Sequence, residues 1–336
     1  MIDDRPPLPQ LEHRPFLTDS GLETTLIFID GIDLPEFAAF PLLETSDGRR
    51  RLRHYFERHA SIAREASCGF IAESPTWRAN PHWGAGLGYD RHELDAINKH
   101  AITLLADLRD RDGRGAEEYV ISGCIGPRGD GYDPTSQLSA EDAERYHSRQ
   151  IESFADTQAD VVSAMTLTHV EEAIGVTWAA QAIGIPAVIS FTLETDGRLP
   201  SGTTLGDAIV EVDEATDAGP AYYMVNCAHP THFDQVLAEG GPWLARLRGI
   251  RANASCKSHA ELDAATELDS GDPVALGTQY ASLVARFPQL TILGGCCGTD
   301  ERHVEEIART CIVSAWPRSD SLVGDRGAHF DQGESG

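Results

Sequence analysis

Short apolar runs and longer stretches of helical spacing alternate along most of the chain. Phe16-Leu17-Thr18-Asp19 is the first short run, with an acid at its carboxyl end. An irregular apolar stretch follows to about Leu43. Leu52, Tyr55, Phe56, His59, Ile62, Ala63 and Ala66 then recur at the i, i+3, i+4 spacing of a helix. Gly69-Phe70-Ile71-Ala72-Glu73 predicts the next strand, opening into Ser74-Pro75-Thr76-Trp77. Leu94, Ile97, Ala101, Leu104 and Leu108 mark the next helix. The alternation continues with strands at Tyr119 to Gly123 and Asp160 to Ala164, separated by a helix that Ser139 and Asp142 open like a capping box. Thr168 and Glu171 are read as the cap of the helix after that. Ile185 to Phe191, Tyr222 to Asn226, Arg248 to Asn253 and Leu290 to Leu293 complete the strand set. Eight strands, most followed by a helix and with no composition break between them, predict a parallel sheet closed into a single (β/α)8 TIM barrel. Functional groups are then expected at the carboxyl ends of the strands. The expected organisation is a flexible arm over 1–15, the barrel over 16–316 and a disordered tail over 317–336.

Composition narrows the function more than the fold. A chain of 336 residues with 41% hydrophobic and 24% charged residues has the makeup of an ordinary soluble globule of barrel size. Its formal net charge of -26 repels phosphates and argues against a nucleic-acid partner. No run approaches a membrane span, and Met1-Ile2-Asp3-Asp4-Arg5-Pro6-Pro7 lacks the apolar segment of a signal peptide. The expected compartment is therefore the cytoplasm. The seven cysteines, an odd number, do not suggest a disulfide framework.

Three of those cysteines carry the chemistry. Thr291-Ile292-Leu293 runs into Gly294-Gly295-Cys296-Cys297-Gly298, and Thr299-Asp300-Glu301 has the form of a helix cap with an acidic first turn. Two thiols thus sit at a strand's carboxyl end, close to the positive end of a helix, where thiolate is favoured over thiol. A Cys-Cys pair alone would be read as core packing. The flanking glycines and a third cysteine change that. Cys227, in Val225-Asn226-Cys227-Ala228-His229-Pro230, ends the sixth strand, and in a barrel one strand separates it from Cys296 and Cys297. Three converging thiolates suit a soft or borderline cation, zinc by ligand type. Three ligands and an open position describe a reactive site. His229 or His232 could add a fourth ligand and make it structural. Cys68, Cys124, Cys256 and Cys311 have no partner pattern and are read as packing residues.

These motifs resemble the homocysteine S-methyltransferase family, zinc-dependent barrels that include betaine–homocysteine methyltransferase and the homocysteine module of methionine synthase. The resemblance runs from about Phe16 to about Cys311. Gly294 to Thr299 together with Val225-Asn226-Cys227 is its most specific part. Thr18 to Glu23, Ser74 to Trp77, and Gly123-Cys124-Ile125-Gly126-Pro127 are weaker matches. The resemblance implies that Cys227, Cys296 and Cys297 hold zinc and that Asp19 holds the amino group of homocysteine. It also places Ser74, where the family usually has a threonine, near the amino-acid carboxylate. Ser20, Glu73, Trp77, Met165 and Asn226 join Asp19 and Ser74 as expected substrate-binding residues. Three departures stand out. Ser20 replaces a glycine of the usual Asp-Gly-Gly, Met165 stands where members typically carry an amine-binding glutamate, and Ala252-Asn253-Ala254 lacks the expected Pro-Asn or Asn-Ala-Gly form.

The implied activity is methyl transfer from a small onium donor (S-methylmethionine, S-adenosylmethionine or betaine type) to homocysteine or a related thiol, giving methionine or a thioether. No side-chain base is assigned, because a metal-held thiolate needs none. Trp77 has two readings, a cation–π contact to a cationic donor or plain packing in its loop. Gly84, Gly86 and Gly88 mimic a dinucleotide loop, but no strand precedes them, and no Gly-x-x-x-x-Gly-Lys run exists. Two other functions compete. Asp19 and Glu73 could be the acid and base of a barrel hydrolase, which leaves the cysteines unexplained. A non-catalytic zinc- or thiol-binding regulator is the other, alongside a methyltransferase for a thiol other than homocysteine.

Overall fold

The computed structural model describes residues 7–12, 14–115, 118–131, 137–265 and 267–314. The expected tail over 317–336 lies outside the described residues. Eight parallel strands close into one barrel in sequence order, β1 pairing with both β2 and β8. They are β1 (Phe16–Thr18), β2 (Gly69–Glu73), β3 (Tyr119–Ile125), β4 (Val161–Leu167), β5 (Ala187–Phe191), β6 (Tyr222–Asn226), β7 (Leu247–Ala252) and β8 (Ile292–Gly295). The principal helices following them are α1 (Ser46–Glu65), α2 (Arg91–Asp112), α3 (Ala140–Ala155), α4 (Val170–Ile183), α5 (Leu205–Thr216), α6 (Pro230–Glu239), α7 (Pro273–Arg286) and α8 (Glu301–Ile307). The single (β/α)8 barrel is therefore the observed fold.

The strands are apolar on both faces because both faces are covered. One set of side chains, including Phe16, Ile71, Val120, Val161, Val188, Tyr222 and Ile292, fills the barrel interior. The alternate set, including Leu17, Phe70, Ile121, Val162, Ile189 and Leu293, packs outward with helix residues such as Phe56, Leu105, Phe154 and Ile209. This division follows from the two-residue side-chain period of a strand.

Two local expectations are corrected. Leu8 and Gln10, assigned to the flexible arm, are buried, and Gln10 Nε2 donates to the Tyr222 hydroxyl at 3.5 Å. Leu8 joins the side chains that fill the barrel interior. Helix α4 has His169 as its N-cap, with no side-chain cap bond, while the Thr168 hydroxyl is 3.1 Å from His169 Nδ1.

Candidate metal centre and acceptor cavity

The carboxyl ends of β6 and β8 bring the three cysteines together. All three Sγ atoms lie within 4.8 Å of one another. Cys227 and Cys296 are joined as a disulfide with their Cα atoms 5.4 Å apart, and Cys297 Sγ is 3.9 Å from Cys227 Sγ. Once reduced, the pair and Cys297 form a three-thiolate donor set that fits a soft or borderline metal ion. His229 and His232 do not join it. His229 caps α6, accepting from the Thr231 amide, and His232 Nε2 donates to the Cys256 carbonyl at 3.0 Å. Among the described residues no further ligand lies in the cluster.

The backbone is shaped to aim these sulfurs. Gly294 leaves room for β1, since a Cβ there would strike the Thr18 hydroxyl, and Gly298 has φ +78°, which suits glycine. Cys227 itself has φ +55° and Thr166, at the end of β4, has φ +64°. A β-branched residue rarely takes that conformation, and such strain persists only where the surroundings impose it. Asn226 imposes it here. Its Oδ1 accepts from the Thr166 amide and the Ser190 hydroxyl, and its Nδ2 donates to the Thr166 hydroxyl and approaches Cys296 Sγ at 3.9 Å.

The sulfurs open onto a cavity of about 410 Å³ lined by Asp19, Glu23, Glu73, Ser74, Trp77, Met165, Asn226 and Arg251, among others. Ser20 is not on its wall. The Ser20 hydroxyl faces α1, 2.9 Å from His59 Nε2 and 3.2 Å from the Tyr55 hydroxyl. Several of the other expected contacts already have partners. Asp19 Oδ1 is 2.6 Å from Arg251 Nη2, a buried ion pair. The Thr76 hydroxyl donates to the Cys124 carbonyl, so the Ser74 hydroxyl, 2.6 Å away, donates to Thr76 while accepting from the Cys124 amide at 2.9 Å. Asn226 is occupied as described above. Trp77 carries the Arg78 guanidinium over its ring at 4.3 Å, faces Gly126 and Gly131, and donates from Nε1 to the Met165 carbonyl. That geometry gives Trp77 a packing role and a cation of the protein's own.

Glu73 differs from these. It is buried, and its Oε2 has no hydrogen-bond partner among the described residues. Burial pushes its carboxyl up to about 7, against the pull of the Arg251 charge. Burial likewise raises Glu23 to about 7. The charges of Asp19 and Glu73 hold Arg251 protonated despite its burial. Met165 lines the cavity with an apolar thioether. Cys68, Cys124 and Cys311 are buried as the expected packing residues, Cys124 among the side chains that fill the barrel interior and on the cavity wall, whereas Cys256 is exposed.

Arg251 and Glu23 were missed from sequence. The signal for Arg251 is one cation inside the apolar run Gly249-Ile250-Arg251-Ala252. Glu23 has no such signal, since it follows β1 in an irregular stretch.

A family model described as homocysteine S-methyltransferase matches residues 51–311. The weaker motif Thr18 to Glu23 lies ahead of that range. No curated protein matches the chain. The homocysteine methyltransferase MmuM from Escherichia coli, in its oxidized form, is 20% identical with a TM-score of 0.67, over 89% of this chain and 96% of that one. Its metallated form is 19% identical with a TM-score of 0.65 at the same coverage. At that identity the likeness bears on the fold. The family model spans most of the chain, helices and cysteine strands included, and the chain belongs to the homocysteine S-methyltransferase family.

Proposed function

We propose that the chain is a zinc-dependent thiol S-methyltransferase, moving a methyl group from a small onium donor to homocysteine or a related thiol. The donor is of the S-methylmethionine, S-adenosylmethionine or betaine type. The observation that carries this reading is the convergence of three cysteine sulfurs within 4.8 Å on the wall of a cavity that also holds a buried, unpartnered carboxylate oxygen. Cys227, Cys296 and Cys297 would hold the zinc. When bound, it supplies the positive charge that turns an acceptor thiol into a thiolate at neutral pH, where a free thiol is mostly protonated.

The chain's own residues do the rest. Asn226 keeps the strand ends and their sulfurs in place. Glu73 Oε2 is the group available to an acceptor ammonium, a role expected of Asp19, which Arg251 occupies. Glu23, Glu267 and Asp269 line the same cavity and supply negative charge for a cationic donor. Transfer forms one S–C bond on the acceptor and breaks the donor's bond to the methyl carbon. The electron pair leaves with the donor, which becomes neutral, so no general base is required.

Met165 and the Asp19–Arg251 pair favour a second reading within this class, the same chemistry on a thiol other than homocysteine. The test is a mass-spectrometric screen of reduced, zinc-loaded protein against a matrix of thiols and onium donors. Saturable formation of a methyl thioether supports the proposal. Zinc bound with no methylated product in any pair would favour a binding role instead.

A further inference from the structure

We propose that Arg251 selects the acceptor by receiving its carboxylate, so that the enzyme distinguishes thiols by their acid group more than by their amine. The proposal rests on the methyl-transfer reading of this cavity. Arg251 sits on β7, between β6 with Cys227 and β8 with Cys296 and Cys297, in register with Asn226 and Gly294. Arg251 and the three cysteines line one cavity, so a small thiol held at the sulfurs shares that cavity with the guanidinium. Arg251 uses Nε on the Gly295 carbonyl at 3.1 Å and Nη2 on the Ser20 carbonyl at 3.2 Å and on Asp19. Its Nη1 makes no hydrogen bond to any described residue, and the side chain lines the cavity. A guanidinium can hold one carboxylate on one edge and offer a second edge to another.

The other candidate for the carboxylate is spent. Ser74 has its hydroxyl proton committed to Thr76 and its oxygen to the Cys124 amide. The amine side is weaker than expected as well. Asp19 is neutralised by Arg251, Met165 offers no charge, and the unpartnered oxygen of Glu73 remains. The pocket thus offers the acid the unused edge of Arg251, a cation already flanked by Asp19 and Glu73, and offers the amine the free oxygen of Glu73.

The experiment compares three acceptors of one skeleton on the reduced, zinc-loaded wild type. They are homocysteine, 4-mercaptobutanoate, which lacks the amine, and 3-aminopropanethiol, which lacks the carboxylate. Steady-state kcat/KM is read with one donor. Calorimetric Kd is read in parallel with the corresponding thioethers, 4-(methylthio)butanoate and 3-(methylthio)propylamine, which need no turnover. The acid is expected to beat the amine by at least about tenfold in both readings, the scale of one charged hydrogen bond. R251Q should bring that ratio close to one. R251K keeps a charge for Asp19 and should leave an intermediate ratio; it serves if R251Q does not fold. Parity or a preference for the amine in the wild type overturns the proposal. So does a ratio that neither variant changes, which would make Arg251 a structural partner of Asp19. Carboxylate-selective binding without turnover of any thiol would retain Arg251 as the selector and remove the methyl-transfer reading.

Discussion

Asn226 holds Thr166 from two sides, accepting from its amide at 2.9 Å and donating to its hydroxyl at 2.8 Å. That places a β-branched residue at φ +64° beside Cys227, the residue after β6. Asn226→Ala would take this partner from the Thr166 amide and the Ser190 hydroxyl, both on buried residues. The expected cost is about 2–4 kcal/mol in urea denaturation, with a matching fall in metal content. An alanine variant with wild-type stability and full metal would show that the clamp is dispensable.

Reduced protein is expected to bind about one zinc per chain, and alanine at Cys227, Cys296 or Cys297 should remove it. Hydrogen peroxide should release the metal as well. Two thiolates give up two electrons to form the Cys227–Cys296 disulfide, and the peroxide is reduced to water. A chromogenic chelator follows the zinc, and dithiothreitol should restore binding. Full zinc and full activity in a single-cysteine variant would disprove the ligand assignment.

Glu73 gives a pH signature in the metal-free, ligand-free protein. Its carboxyl titrates near 7 when folded, raised by burial, against an ordinary value of 4.5. Between those values the folded chain holds a proton that the unfolded chain has lost. Stability contributed by this group is therefore full below about 4.5, falls as pH rises and levels off above about 7. Glu23 acts in the same direction. Glu73→Gln should flatten the slope and add on the order of 3 kcal/mol at neutral pH. Denaturation midpoints measured across that window check it; a slope unchanged in the variant would assign it elsewhere.

A glutamate at position 165 tests the amine side. Met165→Glu puts a carboxylate in the cavity wall, and homocysteine use should improve by roughly 1–3 kcal/mol if the charge meets the substrate ammonium. 4-Mercaptobutanoate, with no ammonium, should gain nothing. Efficient wild-type turnover of homocysteine, together with unchanged or worse kinetics in the variant, would mean that Glu73 already fills the role.

Much of the architecture was legible because it depends on local patterns. The eight apolar runs from Phe16 to Gly295, with helical spacing between them, specify a parallel closed sheet whatever the loops do. The cysteines were legible for a related reason. Residues that end strands of a barrel share one face, so Cys227, Cys296 and Cys297 could be brought together from strand order alone. The family match over residues 51–311 agrees with that reading of the motifs.

What the tertiary structure decided was the partnership of each polar group, because hydrogen bonds and ion pairs join residues far apart in sequence. By type and position Asp19 suits an amine anchor, but Arg251, on the seventh strand, lies 2.6 Å from it. Ser20 turned out to face Tyr55 and His59 on α1, and Ser74 to be satisfied by Thr76 and Cys124. Glu73 keeps Oε2 without a hydrogen bond among the described residues, although Ser122, Ser163 and the Arg251 charge act on its carboxyl. Residue type and spacing determine which groups arrive at the carboxyl face. Which of them retain an unpaired donor or acceptor for a substrate is decided by their neighbours, and strand order does not specify those contacts.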